Sequence, residues 1–121
     1  EICACLVGSE MCIRDRLSYA DREGGFWGRH PRSVVGITRR GEAVMIVVDG
    51  RFPGQAAGMT IGELIYLVRQ LGLYSALNLD GGGSSTLWCE EAGVVNRPSD
   101  NRRFDHEGER RVTNCIAVVA E

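Results

Sequence analysis

The segment Ala76–Thr86 (ALNLDGGGSST) constrains this chain more than any other. An apolar, strand-like run delivers one carboxylate, Asp80, onto three consecutive glycines, Gly81, Gly82 and Gly83, and hydroxyl side chains follow at Ser84 and Ser85. Adjacent glycines are costly to order and add nothing to a core. They make sense where the backbone must take dihedrals other residues avoid, or where a ligand must approach bare N–H groups. An acid at the end of a buried strand, beside a glycine loop, is a common way to build an active site. The bland alternative is a tight hairpin with Asp80 as a turn residue. A hairpin needs only one or two glycines, however, and this loop has three.

The N-terminal stretch reads differently. Leu6 to Arg16 (LVGSEMCIRDR) matches the translation of a transposase-type sequencing adapter. Residues 1–16 are therefore expected to be non-native and are set aside from the fold, leaving 17–121 as native sequence. The alternative is a genuine segment in which Cys3, Cys5 and Cys12 bind a metal or form disulfides. Without them only Cys89 and Cys115 remain, as a disulfide or as two buried thiols. The native length suits one small domain. A net charge of −2 and scattered rather than striped arginines argue against a nucleic-acid surface. No window is apolar for long enough to span a membrane.

The hydrophobic pattern predicts strands, one helix, then strands. Ser33–Thr38 and Ala43–Val48 flank a polar turn, Arg39-Arg40-Gly41-Glu42, and read as a hairpin. The second run is apolar on both faces, which predicts a central, buried strand. Thr60 and Glu63 form a T-x-x-E capping box ahead of an apolar periodic run. Leu64, Ile65, Leu67, Val68 and Leu71 share one helical face, and Gly72 suits the helix end. Further strands are predicted at Ala76–Leu79, Ser85–Cys89 and Gly93–Asn96. A charged loop over Asn101–Arg111 leads to a last buried strand, Cys115–Ala120. The expected class is α/β in the broad sense, of the α+β kind: a mixed sheet with one main helix packed on it.

Polar groups gather at the predicted strand ends. His30-Pro31-Arg32-Ser33 precedes the first strand of the hairpin, and Asp49-Gly50-Arg51 leaves the second. Asn96-Arg97-Pro98-Ser99-Asp100 follows the later strands, and Asn114 precedes the last. Arg32 and Arg51 have the planar guanidinium that suits a phosphate, and the glycine-loop amides could add donors to an anion. Asp49 and Asp80 are candidates for general acid–base or nucleophile work. Asp49 with Arg51 could equally be an ion pair that fixes a loop.

HPRSVVGI, VVDGRFPG, AAGMT-x-x-E, ALNLDGGGSSTLW, VNRPSD and GERRVTN, in this order from His30 to Val119, resemble the phosphodiester glycosidase family. The wording is similar to a bacterial, Bacteroides-type branch whose members are often exopolysaccharide-related and exported. The resemblance implies hydrolysis of a sugar-1-phosphodiester in a glycopolymer or glycoconjugate, with a carbohydrate phosphodiester as substrate. It implies site residues at His30, Arg32, Asp49, Arg51, Asp80, Gly81, Gly82, Gly83, Ser84, Ser85, Asn96, Arg97 and Asn114. Asp80, Asp49 and His30 are the expected catalytic groups, and the others bind sugar or phosphate. The resemblance also implies that this chain is the C-terminal half of such a domain, so that alone it would fold poorly and lack activity. Two other readings stand beside the first: a non-catalytic glycopolymer-binding domain with the same cleft, and a serine hydrolase using Ser84 or Ser85. The latter lacks the strand–elbow–helix context, since a strand is predicted to follow. No cofactor is expected. A divalent metal near Asp80 is an open alternative that no His or Cys cluster supports.

Overall fold

The computed structural model describes residues 2–5, 11–12 and 25–119. Its strands are β1 (Ile2–Cys5), β2 (Met11–Cys12), β3 (Arg32–Thr38), β4 (Ala43–Val48), β5 (Leu73–Asn78), β6 (Leu87–Cys89), β7 (Gly93–Val94) and β8 (Cys115–Val118). One helix, α1 (Ile61–Gln70), lies between β4 and β5, and single 3₁₀ turns occupy Gly25–Trp27 and Gly82–Ser84. The class is α+β with one packed helix. The strands form two four-stranded sheets, ordered β7-β6-β1-β8 and β2-β5-β3-β4, and every pairing in them is antiparallel. The expected single mixed sheet is thus replaced by two antiparallel ones.

Local chemistry accounts for the elements around the site. The β3–β4 turn closes through Thr38 N–H to Glu42 O (2.9 Å) and Gly41 N–H to Thr38 O (3.0 Å). Gly41 takes φ +85°, a conformation that suits glycine. Helix α1 starts at a full capping box: Glu63 N–H donates to Thr60 Oγ1 (3.2 Å), and Thr60 N–H donates to the Glu63 carboxylate (2.9 Å). Ile61, Leu64, Ile65 and Val68 bury one face of α1 against Val34 of β3 and Ala76 of β5. Leu71, expected on that face, is the helix C-cap and is 50% exposed.

Antiparallel pairing puts the start of β3 beside the ends of β4 and β5, with Arg32 opposite Val48 and Val34 opposite Asn78. The glycine loop is laced onto the same end: Leu79 N–H donates to Ser33 O (2.8 Å) and Gly82 N–H to Pro31 O (2.9 Å). His30 and Met59 exchange backbone bonds of 3.0 and 3.3 Å, which brings the residues before α1 to this edge too.

Burial corrects three expectations. β4 is an edge strand among the described residues and is half-buried at most, although both its faces are apolar. β8 is likewise at an edge, with Val118 48% and Val119 69% exposed. Apolar side chains report what a strand is suited to contact, and burial needs a neighbouring layer as well. Cys89 and Cys115 are free thiols, half-buried and exposed, so neither a disulfide nor a buried pair forms. Ser85 and Thr86 precede β6 rather than open it, and the strand predicted over Gly93–Asn96 keeps only Gly93–Val94.

The capping box carries a pH prediction. The Thr60 backbone N–H holds the Glu63 carboxyl below its ordinary pKa; burial opposes this, and the hydrogen bond and charge of Arg29 add to the lowering. A carboxyl depressed in the folded state stabilises above its unfolded pKa, and that contribution is lost as pH falls through the folded value. In the full-length protein, Glu63→Gln should lower Tm at neutral pH and flatten its acid dependence. Parallel Tm-versus-pH curves for the two proteins would contradict this.

Candidate active site

Asp80, Gly81 and Gly82 line a cleft of ≈ 240 Å³ together with Phe26, His30, Pro31, Arg32, Arg51 and Leu79. Gly81 is required by what lies against it, and Gly82 by its positive φ. A Cβ at Gly81 would stand 2.5 Å from Pro31 O, so only glycine lets the loop reach the head of β3. Gly82 has φ +62°, and a Cβ there would meet Arg51 Nη2 at 2.7 Å. The loop therefore brings bare backbone against both a strand and a cation. Asp80 Oδ1 accepts from Gly81 N–H at 3.0 Å, and the side chain stays 28% exposed at the cleft.

The two candidate phosphate arginines differ sharply. Arg32 is 3% exposed. Its Nε donates to Met59 O (3.0 Å), and its Nη2 donates to Phe26 O (2.8 Å) and Gly28 O (2.6 Å). Burial lowers its pKa. These bonds consume three of the five guanidinium N–H groups and leave Nη1 for the cleft. Arg32 thus anchors the Gly25–Trp27 turn and offers a ligand at most one nitrogen, not the bidentate fork expected. Arg51 is the opposite case. Its guanidinium lies against Gly82 and has no hydrogen bond or ion pair among the described residues. Its backbone sits at φ +66°, which costs a non-glycine residue of order 1–3 kcal/mol. Such strain at a cleft is a feature of functional positions.

Asp49 does not pair with Arg51. Its Oδ1 accepts from Asn96 Nδ2 (2.9 Å) and from Arg97 N–H (3.0 Å). Asn96 is buried and also donates to Ser85 O (2.9 Å) while accepting from Leu87 N–H (2.8 Å). Asp49 and Asn96 thereby tie the β4 exit to the segments on either side of β6. Arg97 stacks its guanidinium on Phe104 at 4.5 Å. Asn114 is exposed ahead of β8 and does not line the cleft. His30 contributes Nε2 to a 2.7 Å bond with Gly25 O, while its buried Nδ1 has no protein partner. With Nε2–H as the donor, Nδ1 is the free acceptor.

Ser84 is 2% exposed and accepts from Arg110 through both Nε (3.0 Å) and Nη2. Arg110 Nη2 also stands 3.8 Å from Asp80 Oδ2, and Nη1 stands 3.9 Å from Asp100 Oδ1. Sequence reasoning missed Arg110. It lies in GERRVTN, but nothing local separates Arg110 from Arg111 in a stretch that reads as a charged loop. The Ser84 arrangement is unlike that of a serine hydrolase. The histidine bonds here go to Gly25 O and, from His106 Nδ1, to Asn96 O at 2.8 Å, and none joins Ser84 or Ser85. The Ser85 hydroxyl is buried without a protein partner. Among the described residues no group of three or more His, Cys, Asp or Glu could hold a metal, and no helix is long and apolar enough to cross a membrane.

The chain as a whole has known relatives. Residues 2–119 match the family described as phosphodiester glycosidase. The chain belongs to the phosphodiester glycosidase family. It is 33% identical over 70 residues to mouse N-acetylglucosamine-1-phosphodiester alpha-N-acetylglucosaminidase, a match covering 58% of this chain and 13% of that protein. The bovine protein of the same name is 31% identical over 88 residues, covering 72% of this chain and 16% of the relative. The zebrafish catalytic domain of that name, solved in a form auto-inhibited by its pro-peptide, superposes with TM-score 0.52 at 28% identity. That superposition covers 59% of this chain and 22% of the zebrafish one. This member of the phosphodiester glycosidases thus spans a small part of its mammalian relatives' length.

The Asn96 hub carries its own prediction. Asn96→Ala removes the donor to Asp49 and Ser85 O and strands the Leu87 N–H. The full-length protein should lose about 1–3 kcal/mol, the cost of leaving buried polar groups unpaired. Chemical denaturation measures it, and a loss under about 0.5 kcal/mol, the range of an ordinary surface substitution, would remove Asn96 from this bracing role.

Proposed function

We propose that the cleft hydrolyses a sugar-1-phosphodiester of a bacterial glycopolymer or glycoconjugate. The observation that carries this reading is the pairing, in one cleft, of an accessible carboxylate, Asp80, with an unpartnered guanidinium, Arg51. The names of the mouse and bovine relatives support the same substrate class. The reaction breaks the C1–O bond to phosphorus. An oxygen of water forms the new bond to C1, its proton goes to a base, and the phosphomonoester departs with the bonding electrons. Phosphate is already a good leaving group, so the demanding part is to stabilise an oxocarbenium-like sugar while gripping an anion. Asp80 faces the anomeric carbon or its attacking water. Arg51 holds the diester, helped by Arg32 Nη1; the Gly81 and Gly82 amides, expected to help, are committed to Asp80 Oδ1 and Pro31 O. His30 Nδ1 is an acceptor suited to proton transfer. Asp49, Asn96 and Arg97 support the loops, and Ser84 bonds the sugar, whereas the Ser85 hydroxyl is buried.

We also propose that residues 1–16 are adapter-derived. A native reading frame encoding the same residues at the source locus would overturn it.

Two substitutions in the full-length protein test the site. Asp80→Asn is nearly isosteric yet supplies neither nucleophile nor base. It should lower kcat by about 10²-fold or more with a near-normal melting curve. Retention of more than about a tenth of the activity would make Asp80 a structural residue. Arg51→Lys keeps the charge but loses the planar fork. It should weaken kcat/KM on a sugar-1-phosphodiester far more than on a neutral aryl glycoside of the same sugar. A ratio between the substrates unchanged within about threefold, roughly 0.7 kcal/mol, would take Arg51 out of the phosphate site.

A further inference from the structure

We infer that Arg110 is a positioning residue for the reaction. It locks the Ser84 hydroxyl as a hydrogen-bond donor and holds the Asp80 carboxylate in its productive orientation. The inference rests on the sugar-1-phosphodiester reading. The Arg110 guanidinium bridges three groups contributed by two segments, Asp80 and Ser84 of the glycine turn and Asp100 of the loop after Asn96. Its Nε and Nη2 both donate to Ser84 Oγ, its Nη2 lies 3.8 Å from Asp80 Oδ2, and its Nη1 lies 3.9 Å from Asp100 Oδ1. A hydroxyl has two acceptor lone pairs and one proton. With two N–H groups aimed at its oxygen, Ser84 has only its own O–H left to direct at a partner, and a cation polarises that O–H. Ser84 is then a hydrogen-bond donor and is unsuited to attack as a nucleophile.

The acid is held from both sides. Gly81 N–H bonds Asp80 Oδ1, and Arg110 stands against Oδ2. Asp100 completes the clamp. It packs so closely over the glycine loop that a Cβ at Gly83 would meet its Oδ1 at 2.5 Å. Asp100 is fixed in turn by its N–H to Gly108 O at 3.2 Å, which ties it to the loop that carries Arg110. The loop after Asn96 thus grips Ser84 and Asp80 of the glycine turn through one side chain. Planarity matters, because a guanidinium can send two N–H groups to one oxygen while a third faces a carboxylate, and an ammonium cannot.

The test compares the full-length wild type with Arg110→Ala and Arg110→Lys on a sugar-1-phosphodiester and on a neutral aryl glycoside. Turnover of the diester by wild type is the control for the underlying reading; an inactive wild type would refute that reading, and this inference with it. With an active wild type, Arg110→Ala should lose about tenfold or more in kcat with KM little changed. The loss should be equal on both substrates, and guanidinium added below denaturing concentration should restore part of it. If Arg110→Ala does not melt cooperatively, Arg110→Lys decides: the same kcat loss at a wild-type Tm is expected. Wild-type kcat in the lysine variant would overturn the inference. So would a loss confined to the diester, which would make Arg110 a phosphate ligand, or a loss in folded Arg110→Ala that guanidinium does not relieve.

Discussion

The site depends on one close approach, that of the Gly81–Gly82 backbone to the carbonyl of Pro31. Gly82 N–H bonds Pro31 O at 2.9 Å, and any side chain at Gly81 would collide with that oxygen. Because the loop is pinned there, Asp80 emerges beside the head of β3 rather than over the end of β5. The pin also brings Gly82 under Arg51, whose strained backbone at φ +66° aims a free guanidinium back across the loop. The rest of the polar edge braces this contact: Arg32 secures the turn before β3, Asp49 and Asn96 secure the exit of β4, and Arg110 secures the glycine turn itself.

Division of labour among the charged residues follows from how many of their bonds the protein already uses. Arg32 and Asp49 are candidates by composition, yet backbone carbonyls occupy three of the five Arg32 N–H groups, and Asn96 and the Arg97 N–H occupy Asp49 Oδ1. Among the described residues Arg51 has no hydrogen bond or ion pair, and Asp80 has a single backbone N–H and a distant ion pair. Groups with unspent capacity at a cleft can act on a ligand, whereas saturated groups hold the frame.

Local features were legible in the sequence. The β3–β4 hairpin, the Thr60–Glu63 box and the apolar face of α1 each arise from contacts within a few residues, so periodicity and turn chemistry reveal them. Asp80 and its glycines were legible because such a run has few other uses. Burial of β4 and β8 was misread, because two apolar faces do not say what covers them. The Asp49–Asn96 bond joins residues 47 apart, and the Arg110–Ser84 bond joins residues 26 apart. No spacing rule reaches that far. The three backbone acceptors of Arg32 are not legible either, since they come from loops whose paths only the fold defines.

The central claim is that water attacks the sugar carbon and not phosphorus. Hydrolysis of a sugar-1-phosphodiester by the full-length protein in ¹⁸O-labelled water tests it directly. Mass spectrometry of the products should find the label in the sugar hydroxyl at C1 and an unlabelled phosphomonoester. Label in the phosphate instead would mean P–O cleavage, and would contradict glycosidase chemistry at Asp80.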